Sequence, residues 1–119
     1  MEKEIESAKK KLKEKYNFEF PYTISIGDGI GASTREGRTN IGKENPLEVI
    51  EIFVLHEAYH MIFNIDQTKA FKEKDKGNPM PYFKQEMFIW NKIKKDFPEL
   101  SPKVDSAIVG EMIALGILK

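Results

Sequence analysis

The sequence predicts an α+β fold: an N-terminal helix, a small, mostly antiparallel sheet of about three strands, and then several more helices. Three observations favour this class. The first residues are highly charged, with an apolar residue every three or four positions, which is typical of a helix buried on one side. Residues 18–41 contain alternating and turn-rich segments, typical of short strands. From residue 46 onward, helical periodicity returns in three segments.

Composition narrows the class of protein. With 119 residues we expect one domain, residues 1–119, with a single core. The formal net charge is zero, so no basic surface indicates a nucleic-acid partner. Cysteine is absent, which excludes disulfides and thiolate metal ligands. The charged N-terminus and the lack of a run of ~20 apolar residues indicate a cytoplasmic protein with no membrane partner, and the richness in Lys and Glu suggests a thermophile.

The N-terminal segment predicts a helix over residues 1–16. Its apolar residues form one narrow stripe, and the charged residues between them form a solvated face. The stripe is expected to back the sheet. It consists of Ile5, Ala8, Leu12 and Tyr16.

Residues 18–41 predict the strands. Residues 18–26 alternate as a strand, although Pro21 limits it to a sheet edge or delays its start. Gly27–Gly31 is a turn signal that lacks the Lys-Ser/Thr ending of a phosphate loop. Residues 30–33 and 35–41 predict two short strands joined by a turn at Gly37. This polar hairpin fits either the rim of a cleft, where an extended peptide could add a strand, or a solvated surface.

Three later segments predict helices. Residues 46–64 are apolar on nearly all sides, as in a buried helix, with Asn45 as N-cap and Pro46 at the first position. A polar connector over residues 65–81 carries a short helical turn near 69–73. Residues 82–97 place Glu86 on an apolar stripe, and residues 101–118 do the same for Glu111. A carboxylate in such a stripe is costly unless it is paired or binds a metal.

The buried helix contains His56-Glu57-Ala58-Tyr59-His60, and both histidines of the chain lie in this motif. Residues four apart share one face of a helix, so both imidazoles can reach one tetrahedral ion. Glu57 is then placed to act as general base towards a water on that ion. The pattern predicts a Zn²⁺ site. The alternative is a pair of core histidines that hydrogen-bond to neighbouring carboxylates or carbonyls.

A catalytic zinc site needs a third protein ligand, and no third histidine exists. Asp66 stands where an extended motif would carry one, but its position just after the helix favours a cap, a hydrogen-bond partner of a ligand imidazole, or a solvated side chain. Glu86 and Glu111 remain, and stripe position favours Glu86, with Glu111 as runner-up.

These residues resemble the gluzincin metallopeptidases, and the order of elements is most similar to the minigluzincins, small relatives of the catalytic domains of HtpX-type membrane proteases. The resemblance implies a zincin-like fold with His56 and His60 as ligands and Glu57 as base. Lys84-Gln85-Glu86 loosely matches the start of the family's glutamate helix, although Trp90 stands where an Asp is usual. Glu111, three residues before Ala114, is similar to another gluzincin pattern, Glu-x-x-Ala.

The resemblance also implies a zymogen, because some small members are held latent by their C-terminal segment. Residues 102–119 are therefore a candidate latency or swapping helix, and a homodimer through it is a candidate assembly. The predicted function is a zinc metalloendopeptidase acting on a peptide or protein, with Tyr82 or Tyr22 stabilising the oxyanion. The alternatives are a non-catalytic metal-binding or interaction domain with a zincin fold, and a metal-free helical scaffold.

Overall fold

The computed structural model describes residues 2–21, 23–29, 31–35 and 38–118, and this part is α+β as predicted. It falls into two compact units, Met1–Ile62 and Phe63–Lys119. The elements of the first unit are α1 (Glu2–Tyr16), β1 (Thr23–Gly27), β2 (Ala32–Arg35), β3 (Arg38–Gly42) and α2 (Leu47–Ile62). Those of the second are α3 (Thr68–Asp75), α4 (Met80–Asp96), a 3-10 turn at Pro98–Leu100 and α5 (Ser101–Ala114).

Three expectations concern residues outside the described part of the chain. They are Tyr22 in the first strand and as an oxyanion donor, Ile30 at the start of the second strand, and Gly37 in the hairpin turn. β1 begins at Thr23, after Pro21, which agrees with the predicted late start.

In the first unit, α1 packs along α2, whereas the sequence suggested the sheet as its partner. The apolar stripe predicted for α1 makes this contact with α2, and its Ala8 and Leu12 are fully buried. Tyr16 meets Tyr59 edge to face, with ring centroids 5.5 Å apart. A neighbouring ion pair joins the Lys11 ammonium to the buried Glu51 carboxylate at 3.1 Å. The apolar all-round character of α2 explains the change of partner, because its far side also needs covering.

The sheet has three strands in the order β1-β3-β2 and is mixed. β2 and β3 form an antiparallel hairpin in which Thr34 lies opposite Thr39, but β1 runs parallel to β3, with Ile24 opposite Thr39. The prediction of a mostly antiparallel sheet is therefore wrong for one of its two pairings. The chain reverses twice between β1 and β3, at the turn before β2 and at the hairpin, so β3 returns in the direction of β1.

A buried asparagine holds the loops at one end of this sheet. The Asn45 side chain, 5% exposed, accepts the Gly31 N–H at 2.8 Å and donates to the carbonyls of Gly31 and Gly42 at 2.9 and 2.7 Å. Its amide is therefore used by the sheet, not by the helix start that the sequence suggested, and α2 begins at Leu47. β2 and β3 pack against α2 from this position.

In the second unit, α4 packs against α3, the 3-10 turn and α5. Its buried face carries Glu86, Ile89, Trp90 and Ile93, close to the predicted stripe. The predicted helical turn near 69–73 is a two-turn helix, α3. α5 ends at Ala114, earlier than predicted, because Gly116 adopts a φ of +73° that favours glycine and closes the last turn.

Candidate metal centre

The four-residue spacing on α2 brings the two imidazoles together. Nε2 of His60 lies 3.2 Å from Nε2 of His56, and the ring centroids are 4.9 Å apart. His56 is 4% exposed, and His60 is half-buried. Two ring nitrogens thus converge at the edge of a buried helix, where each ring can offer one lone pair to the same ion.

The distance between these nitrogens can be compared with what a metal requires. A tetrahedral ion bound at about 2.0–2.1 Å by two imidazoles places their nitrogens about 3.3–3.4 Å apart. The observed 3.2 Å is close to that separation. The donor pair therefore fits a zinc-sized ion with little movement of either ring.

Glu57 follows His56 on the helix and faces the sheet. Its Oε2 accepts a hydrogen bond from Oγ1 of Thr34 at 2.8 Å. Oγ1 of Thr34 lies in turn 2.9 Å from Oγ1 of Thr39 on the neighbouring strand. The sequence predicts this hairpin only as a polar surface or cleft rim, without a role for these two threonines. They share a face because they lie opposite each other across the hairpin, a pairing that alternation along one strand does not give.

In the second unit, α4 holds Glu86 with only 4% of its surface exposed. The Tyr82 hydroxyl, one turn earlier, donates a hydrogen bond to Oε1 of Glu86 at 2.9 Å. Burial, and then the neighbouring negative charge and hydrogen bond of Glu86, raise the pKa of Glu111 to about 8, against a smaller lowering by Trp90. Glu111 therefore keeps its proton at neutral pH, and as a neutral acid it can donate a hydrogen bond to Glu86.

Among the described residues, one group of three could hold a metal ion: His56, His60 and Glu86. Each of the three offers one ligand atom, and the two histidines and the glutamate are buried or half-buried. Asp66, the remaining candidate, instead accepts hydrogen bonds from the backbone N–H and hydroxyl of Thr68 at 2.9 and 2.7 Å. These bonds lower the pKa of Asp66, whose carboxylate forms a local turn with Thr68, the first residue of α3.

Comparison with protein-family models, curated proteins and solved structures gave no match. Within the described part of the chain, every helix is too short or too polar to cross a membrane.

Proposed function

We propose that this protein is a zinc-dependent metallopeptidase with a zincin-like arrangement, in which His56, His60 and Glu86 bind the ion and Glu57 is the general base. The observation that carries the proposal is the convergence of two imidazole nitrogens at 3.2 Å on a helix that also presents Glu57. The motif supplies the residue types, and the geometry of the two imidazoles supports binding of one shared metal ion.

The donor set supports zinc. Two imidazoles and one carboxylate are hard-to-intermediate ligands that zinc accepts, and three protein ligands leave a coordination position for water or substrate. When bound, zinc supplies Lewis acidity, which polarises a peptide carbonyl and lowers the pKa of a water towards about 7.

The chain supplies the proton transfers. Glu57 takes one proton from water as the water oxygen bonds to the carbonyl carbon of the scissile peptide. Glu57 then gives this proton to the leaving nitrogen as the C–N bond breaks, which restores the carboxylate. Tyr82 hydrogen-bonds to Glu86, so we assign its hydroxyl to holding that ligand rather than to the oxyanion.

The test combines metal analysis with hydrolysis of a mixed peptide library read by mass spectrometry. We expect one zinc per chain in the wild type and in Glu57→Gln, but hydrolysis only in the wild type, reduced at least about 100-fold by the substitution. Glu48→Gln is the matched control, because Glu48 is exposed on the same helix. Equal hydrolysis by the wild type and Glu57→Gln would contradict the proposal.

A non-catalytic metal-binding domain is the second candidate, and Glu111 favours it. Its side chain lies within hydrogen-bonding reach of Glu86 and could supply a fourth ligand that closes the site. In that case Glu111→Gln would weaken zinc binding as strongly as His60→Ala does, and the wild type would cleave no peptide. If the protein is a peptidase with three zinc ligands, Glu111→Gln should lower the zinc affinity much less than His60→Ala does.

A further inference from the structure

We infer that Thr34, held in place by Thr39, fixes the carboxylate of Glu57 and is a positioning residue for the hydrolysis; this inference rests on the proposed function. It concerns residues of the first unit alone. It assigns a role to the polar hairpin that precedes α2.

The direction of the hydrogen bonds follows from the donors available. An ionised carboxylate only accepts hydrogen bonds, and a threonine hydroxyl has one proton to donate. Thr34 therefore donates to Oε2 of Glu57 at 2.8 Å, and its only way to bond Oγ1 of Thr39 at 2.9 Å is to accept. The two hydroxyls form a directed chain, from Thr39 through Thr34 to Glu57.

The sheet gives this chain a rigid support. Thr34 and Thr39 are directly opposite each other in the antiparallel β2–β3 pair, so their side chains lie on the same face. Thr39 has no exposed surface, and a buried hydroxyl needs a partner. Both side chains are β-branched and stiff at χ1, which limits the positions their hydroxyls can take.

Packing alone does not explain two threonines here. Valine has nearly the same shape and is well suited to a buried strand position. The hydroxyls are what distinguish threonine, and they lead to the proposed base. With Oε2 bound to Thr34, Oε1 of Glu57 is the oxygen that takes the proton from water.

The first experiment compares Thr34→Val with Thr34→Ser in the zinc-loaded protein. Thr34→Val removes a hydrogen bond to a charged group, and we expect this loss to lower kcat about tenfold or more. KM should stay unchanged, because Glu57 acts after the substrate has bound. Thr34→Ser keeps the hydroxyl and should stay within about twofold of the wild type. Thr39→Val should lower kcat less than Thr34→Val does, since it acts through Thr34. Ser33→Ala is the control, because Ser33 is exposed on the same strand and should leave kcat unchanged.

The second experiment needs no activity and uses the metal-free protein. Three-bond couplings of the labelled Thr34 methyl group report its χ1 rotamer by NMR. We expect one rotamer in the wild type and averaging between rotamers in Glu57→Ala, because the acceptor that fixes the hydroxyl is gone. Glu48→Ala is the control, because Glu48 is exposed on the same helix.

The outcomes separate this inference from the proposed function. Loss of hydrolysis in Glu57→Gln together with wild-type kcat in Thr34→Val would overturn the positioning role alone. Equal losses in Thr34→Val and Thr34→Ser would also overturn it, because they would indicate a packing role. A Thr34 rotamer unchanged by Glu57→Ala would overturn it if Thr34→Val does not fold. If the wild type and Glu57→Gln hydrolyse peptides equally, the proposed function fails, and the positioning role fails with it.

Discussion

Glu111 should make the metal-free protein less stable as the pH rises. Its pKa is about 8 in the folded chain, raised from an ordinary value of 4.5, so between these values the folded state keeps a proton that the unfolded state releases. The unfolded state is then favoured by up to about 1.4 kcal/mol per pH unit. This contribution to stability is fully present below pH 4.5 and is lost as the pH rises through about 8.

The expected magnitude is smaller than this limit, because Glu111 is only partly buried and solvent screens its charge. Between pH 5 and pH 8, we expect the free energy of unfolding of Glu111→Gln to rise by about 1–2 kcal/mol relative to that of the wild type. Glutamine keeps the shape and a donor towards Glu86 but does not ionise.

The assay is urea unfolding in the presence of EDTA at four pH values from 5 to 8, for the wild type, Glu111→Gln and Glu99→Gln. Glu99 is exposed in the same unit and serves as control. The difference in free energy of unfolding between Glu111→Gln and the wild type should widen steadily with pH. Parallel curves for these two proteins would refute the reasoning, because they would mean that Glu111 ionises alike in both states.

Three further predictions concern stability and metal binding. Lys11→Met leaves the buried Glu51 carboxylate without its ammonium partner and should lower the free energy of unfolding in urea by about 2 kcal/mol; adding Glu51→Leu should recover most of the loss. Asp66→Ala removes the acceptor of the Thr68 N–H at the start of α3 and should speed amide exchange of Thr68 several-fold, whereas Asp66→Asn keeps an acceptor and should change this exchange less. Zinc at 100 times its Kd should stabilise the wild type by about 2.7 kcal/mol in thermal melts, and EDTA or His60→Ala should abolish the gain.

The parts of the fold set by local pattern were predictable. The apolar run before His56 and the stripe around Trp90 predict helices whatever lies next to them, because periodicity is a local property. The direction of β1 was not predictable in this way. It depends on which strand takes the centre of the sheet, and the residues of β1 alone do not specify that order.

In the candidate site, too, features set by local spacing were predictable and features set by tertiary packing were not. Two histidines four residues apart on a helix must share a face, so the convergence of His56 and His60 follows from spacing alone. Glu86 and Glu111 look alike in the sequence, since each interrupts an apolar stripe, and only the packing of α4 with α5 raises the pKa of Glu111 beside Glu86. The bond from Thr34 to Glu57 joins residues that are 23 positions apart, beyond the reach of any local pattern.

The two hydrogen bonds between the Asn45 side-chain amide and the backbone of Gly31 also determine where the chain can accept an insertion. They anchor the backbone three residues before Thr34 to the end of β3. Because strand side chains alternate between faces, a single-residue insertion between positions 31 and 33 would turn Thr34 outward and present Ser33 to Glu57 instead. Loop grafts and length variants in this stretch would therefore alter the surroundings of Glu57 without touching α2.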